Sequence, residues 1–173
     1  MEMPILMDMG LTKKFQRLIA VYLICLGIWV LGATSAIAAP IQVTELRELI
    51  QTAEDQANQG QIDQMIANFR EDAQITIYSL ESDPLVMDRA SYYRNLASVF
   101  RAYRHYRNRM VIDRIKIIDP DHALIQGTTY EQINDRDRPI NGISNWQAQV
   151  SRTNGKLQFT QVDAHLARAQ LTN

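Results

Sequence analysis

Asp163 and His165 stand two residues apart in "FTQVDAHL", close to the C-terminus. On an extended strand that spacing puts both side chains on one face, the face that Leu157 and Phe159 also occupy. A carboxylate that looks into an apolar space resists ionisation, and with an imidazole beside it is suited to moving protons. Asp163 and His165 are therefore the sharpest acid–base candidates, with a hydrogen-bond donor supplied by Tyr78, Tyr92, Tyr93 or Tyr130. The competing reading is a structural pair, exposed or bound to an arginine of the same sheet, because structural ion pairs outnumber catalytic ones.

A second cluster is "FRAYRHYRNRM", Phe100 to Met110, with arginines at 101, 104, 107 and 109 among aromatic residues. Interleaved cations and aromatic rings are what neutralises phosphates and stacks bases. The charge balance opposes that use. Without residues 1–38 the chain keeps 15 basic and 17 acidic residues, a net charge of −2, whereas nucleic-acid binders carry a clear positive excess. Arg107 and Arg109 remain as a solvated edge or as an anion contact, a guanidinium holding a carboxylate at a pocket lip. Trp146, Tyr130 and Phe159 are placed to fill a core or to line a ligand pocket with Tyr78 and Tyr92, and Met65, Met87 and Met110 would give such a pocket an adaptable wall. His105, His122 and His165 fall on three different elements, and no G-x-S-x-G turn is present, so neither a metal site nor a Ser-His-Asp triad nor any cofactor is expected.

The start of the chain bears on where this chemistry would happen. Lys13, Lys14 and Arg17 precede an uncharged run from Leu18 to Ala39 that ends in Ala36-Ile37-Ala38. This is the pattern of a secretory signal peptide, cut after Ala38 so that Pro40 does not become the first mature residue. The alternative is an uncleaved membrane anchor, since the run approaches the ~20 apolar residues of a spanning helix. Either way the remainder, residues 39–173, is exported to a periplasmic or extracellular space. Cys25 lies in the leader and is the chain's one cysteine, so the exported part has no disulfide. Its length suits one compact domain.

The elements that must position the candidates follow from periodicity. Thr44 reads as an N-cap, and Leu46, Leu49, Ile50, Ala53 and Ala57 recur at helical spacing up to Gly60, which reads as the residue just past a helix end. Ile62, Met65, Ile66 and Phe69 mark a second short helix, and "AQITIYSL" switches to strand alternation. "ESDPLVMD" reads as a turn-rich connection, and from Asp88 the residues Tyr92, Leu96, Val99 and Tyr103 return to helical spacing, with a break near His105. Four long strands follow, joined at Asp119-Pro120-Asp121, at the polar loop around Asp135 to Pro139 and at Asn154-Gly155, a strong type I′ hairpin signal. Between Tyr106 and Ile118 the alternation changes parity, as a β-bulge would make it, and a bulge bends a sheet.

The run "GQIDQMIANFREDAQITIYS", Gly60 to Ser79, resembles the helix-to-strand passage of the nuclear transport factor 2-like superfamily, which includes SnoaL-like and ketosteroid-isomerase-like proteins. The Asp88-to-Tyr103 helix, "HALIQG" and the closing "NGKLQFTQVDAH" fall where that superfamily has its third helix, a strand with a buried small residue and its last hairpin. Leu157 departs from it, replacing a usual tryptophan. The resemblance implies an α+β cone: a curved antiparallel sheet, a four-strand meander plus one N-terminal strand, wrapped around three helices. It also implies a pocket at the open end and homodimers formed through the outer sheet face. Function does not follow from this fold, whose members include isomerases, dehydratases, cyclases, carriers and adaptors. The expectation is an exported domain that binds a small apolar ligand in the cone or serves as a protein-interaction module. The alternative is an isomerase, dehydratase or cyclase using Asp163 with a pocket tyrosine.

Overall fold

The computed structural model describes residues 39–79, 82–102, 106–135 and 138–171, without the side chains of 134–135, 138–139 and 169–171. The expected leader, the helix-face residue Tyr103, the break at His105 and the loop residues Arg136 and Asp137 lie outside the described residues.

The first helix, α1, spans Val43–Asn58 and buries Leu46, Ile50 and Ala57. Its N-cap is Gln42 rather than Thr44, because Glu45 folds back and its Oε2 accepts the Gln42 N–H at 2.8 Å. At the other end Gly60 has φ +67°, and the N–H groups of Gly60 and Gln61 return to the carbonyls of Ala57 and Gln56. This closure needs a left-handed residue, which glycine supplies without strain. A one-and-a-half-turn helix, α2 (Ile62–Ala67), leads into β1 (Phe69–Tyr78).

The connection expected after β1 contains a sixth strand, β2 (Leu85–Asp88), paired antiparallel with β1 and burying Met87 against Ile75. Four residues after a proline give too short an alternation to stand out from a turn. Asp88 then caps α3 (Arg89–Ala102), its Oδ1 accepting the Ser91 N–H at 2.7 Å. The long strands are β3 (Tyr106–Asp119), β4 (His122–Asp135), β5 (Arg138–Thr153) and β6 (Lys156–Leu171). They form the expected antiparallel meander, and β1 joins it beside β6 in parallel, giving the order β2-β1-β6-β5-β4-β3. Asn154 and Gly155 both have positive φ, 51° and 77°, as a type I′ turn requires.

The parity change in β3 is a bulge at Asp113, between the pairs Ile112–Gly127 and Arg114–Gln126. Further irregularities in β6 fall at Thr160 and Ala167, and together these bend an unclosed sheet around the helices. The concave face carries the core: Ile75, Ile125, Ala148, Val150 and Phe159 packed with Leu46 and Ile50 of α1. Trp146 packs directly against Gly127, where a Cβ would stand 2.3 Å from the indole and 2.5 Å from the Val111 carbonyl oxygen.

Candidate functional site

The concave face of β4 is read from its burial. Ala123, Ile125, Gly127 and Thr129 are buried, so the next residue of that parity, Glu131, also points inward. Its cross-strand neighbours are Asn108 on β3 and Gly142 on β5. Gly142 lies directly beside the carboxylate, and a Cβ there would meet Glu131 Oε2 at 3.5 Å, an ordinary van der Waals contact. Tyr106, the first residue of β3, donates its hydroxyl hydrogen to Glu131 Oε1 at 2.7 Å and meets Phe100 of α3 edge to face, 5.1 Å between ring centroids. These groups border a cavity of about 900 Å³ bounded by Asn58–Gly60, Phe100 and the strand segments 106–109, 130–132 and 141–143.

Burial, then the charge of Glu131 and the hydrogen bond to it, push the Tyr106 phenol far above its ordinary range. Burial and the same carboxylate push Tyr92 up to about 12. Both phenols are therefore neutral at physiological pH, and the Tyr106 proton is committed to Glu131. Among the described residues Glu131 has no ion pair, and its Oε2 makes no hydrogen bond. Among the described residues Asn108 Oδ1 and Trp146 Nε1 are buried without partners.

The rim is held by α1. Asn58 Nδ2 donates to the Asn108 carbonyl at 2.8 Å and Asn58 Oδ1 accepts the Asn108 N–H at 2.6 Å, so one carboxamide stands in for a neighbouring strand. Glu54 Oε2 accepts the Met110 N–H at 2.5 Å. The outer edge of β3, otherwise open to another chain, is closed over these residues.

The sequence candidates separate into four groups. Trp146 and Phe159 are core, and Tyr92 packs edge-on against Phe69, which in turn touches Phe159, so this end of the cone is filled rather than hollow. Met87 belongs to that core, Met110 packs against it, and Met65 is half-buried. Asp163 and His165 do not share the face of Phe159. Thr160 is an extra residue between the pairs Phe159–Val150 and Gln161–Gln149, so Val162 and Ala164 point inward and Asp163 and His165 outward. There Asp163 Oδ2 accepts from Gln161 Nε2 at 2.7 Å, and the His165 ring stacks on Tyr78 at 4.1 Å. Tyr130, Arg107 and Arg109 have outward, exposed side chains and contribute to the cavity border. Tyr93 is exposed on α3, at a separate groove with Arg89 and Arg94. Among the described residues no three His, Cys, Asp or Glu side chains converge as metal ligands.

Glu131 and Tyr106 are what sequence reasoning missed as a pair. The signal was the alternation of β4 itself, which places Glu131 in line with Ile125 and Gly127 and turns the more conspicuous Tyr130 outward.

The strand order and the helices in its concavity give the chain the fold of the nuclear transport factor 2-like superfamily. A scytalone dehydratase-like protein of Novosphingobium aromaticivorans DSM 12444 superposes with a TM-score of 0.62 at 14% identity, over 74% of this chain and 85% of that one. A ketosteroid isomerase-like protein of Erwinia carotovora atroseptica SCRI1043 gives 0.58 at 12% identity, over 70% and 93%. An NTF-2 like protein of unknown function from Shewanella oneidensis MR-1 gives 0.54 at 14%, over 72% and 99%. No sequence-family profile matches the chain, and no curated protein sequence does.

Proposed function

We propose that the chain is an exported binding protein for a small molecule, held at the wide end of the cone with Glu131 and Tyr106 as its polar contacts. One observation carries this: the Glu131–Tyr106 pair faces an open space of about 900 Å³, while the rest of the concave face is packed with side chains. Export rests on the leader residues, and a membrane is involved only where that leader stays attached. Assembly in this reading is a homodimer through the outer sheet face.

A second reading, proton-transfer catalysis, is favoured by the carboxylate itself. Glu131 Oε1 is fixed by a phenol and Oε2 is open to the cavity, the arrangement that lets a carboxylate take a proton from a bound substrate and return it elsewhere. The dehydratase-like and isomerase-like names of two similar structures accord with this. The role expected of Asp163 then belongs to Glu131.

Native mass spectrometry of the protein purified from the exported fraction tests the binding reading. The wild type should begin at Ala39 and carry a small molecule that Glu131→Ala loses and Asp163→Asn keeps. A wild type that carries nothing, and whose Tm no compound of a broad metabolite library raises, would exclude it. Turnover of a bound compound by wild type and not by Glu131→Gln decides for catalysis.

A further inference from the structure

We propose that the ligand of this cavity is an organic cation, an amine or quaternary ammonium group on a small, partly aromatic or aliphatic frame. This rests on the reading of the cavity as a small-molecule site and names the charge of what it takes.

Donors, acceptors and charge have to balance once a ligand fills this space. Glu131 is half-buried and points into the cavity with one hydrogen bond and no counter-ion among the described residues. A ligand that displaces water from it without bringing positive charge leaves a desolvated carboxylate undercompensated. Tyr106 cannot serve as a free donor to an anion, because its hydrogen is already given to Glu131. Asn108 Oδ1, beside Glu131 across the strand pair, is a further acceptor with no donor among the described residues.

Two independent features have the same sign. The C-terminal end of α1, at Asn58–Gly60, borders the cavity and has no basic residue in its last turn. A helix C-terminus carries about −0.5 of a charge, which favours a cation. Besides the outward Tyr130, the aromatic rings at the border are Phe100 and Tyr106, and ring faces attract ammonium groups. The guanidinium groups of Arg107 and Arg109 oppose this least, since their side chains lie on the outer face in solvent, where charge is screened. They border the cavity all the same, and a carboxylate held there would leave Glu131 unanswered.

One frame in three charge states tests the proposal: benzyltrimethylammonium, benzyl alcohol and benzoate, titrated calorimetrically into the full chain and its Glu131→Gln and Tyr106→Phe variants. The cation should bind at least tenfold more tightly than the alcohol, and benzoate should not bind. Glu131→Gln should abolish that preference by weakening the cation tenfold or more while leaving the alcohol unchanged, which also shows that the variant is folded. Tyr106→Phe should keep the preference. Equal or tighter binding of the alcohol or benzoate, or no binding of the cation to wild type, overturns the cation. A co-purified neutral or anionic molecule that depends on Glu131 would do the same and leave the small-molecule site standing. An empty wild-type protein that no compound stabilises removes both.

Discussion

The base and the wide end of the cone are lined by the same kinds of residue, aromatic rings with a few polar atoms, and behave oppositely. At the base Phe69, Tyr92, Phe159 and Trp146 touch one another or the surrounding core and exclude solvent. At the wide end Phe100 and Tyr106 also touch, but the neighbouring strand positions are Glu131, Asn108 and Gly142, and a cavity remains. The difference lies in what stands opposite each ring. Gly127 removes a Cβ that would stand 2.3 Å from the indole, so Trp146 can fill the space, whereas a Cβ at Gly142 would only touch the Glu131 carboxylate, at 3.5 Å, and the space beside it stays open. The missing side chain is required at the filled end only.

The largest effects should fall at the base. Trp146→Ala should cost about 3–5 kcal/mol, read from urea denaturation, because the indole is buried and its cavity cannot collapse onto a sheet backbone. Gly127→Ala should cost about 1–3 kcal/mol by overpacking the same spot. If Trp146→Ala loses less than about 1 kcal/mol, the base is not the packed region described.

How much of this was legible depends on what each feature needs. Helix ends and hairpins are written locally, and Gly60 and Asn154-Gly155 have the backbone angles that their residue types announced. The bulge at Asp113 was legible because apolar residues on both sides of it reveal the parity change. The one at Thr160 was not, since "QFTQVDAHL" alternates acceptably in either register. That one extra residue carried Asp163 and His165 from the expected inner face to the outer one. Strand β2 was missed because Leu85 to Asp88 are too few to show a period of their own. Their pairing with Gln74 to Ile77, not their propensity, makes them a strand.

The rim should be the next most sensitive place. Asn58→Ala removes two hydrogen bonds to the β3 edge and should cost about 1–2 kcal/mol. Amide exchange should quicken at Asn108 and not at Ile125. Unchanged exchange at Asn108 would mean that α1 does not hold the edge. Glu131→Gln should change stability by less than about 1 kcal/mol, since a half-buried carboxylate is replaced by a neutral acceptor of its shape. The base carries stability and the wide end carries binding, and a Glu131→Gln variant that unfolds would contradict that division.

Titration separates the two ends with the smallest effects. Tyr92, in the packed base and within reach of the Glu131 charge, has a folded pKa of about 12 against an ordinary 10.0. A raised pKa means that the folded state keeps a proton the unfolded chain releases, so its contribution is whole below pH 10 and is lost as pH rises toward 12. Tyr92→Phe should flatten that alkaline decline in Tm. At the α1 start, the hydrogen bond from Arg152 Nη2 at 2.7 Å, then that from the Gln42 N–H, hold Glu45 below its ordinary carboxylate range. The sign is opposite: the contribution is present above the unfolded pKa and is lost as pH falls through the folded one. Glu45 is 37% exposed, so solvent screening limits the effect to under about 1 kcal/mol. Glu45→Gln should therefore lower Tm slightly at pH 7 and leave it nearly unchanged at pH 2, while ligand affinity at the far end of α1 stays as in wild type. A change in affinity would show that α1 couples the two ends instead of merely spanning them.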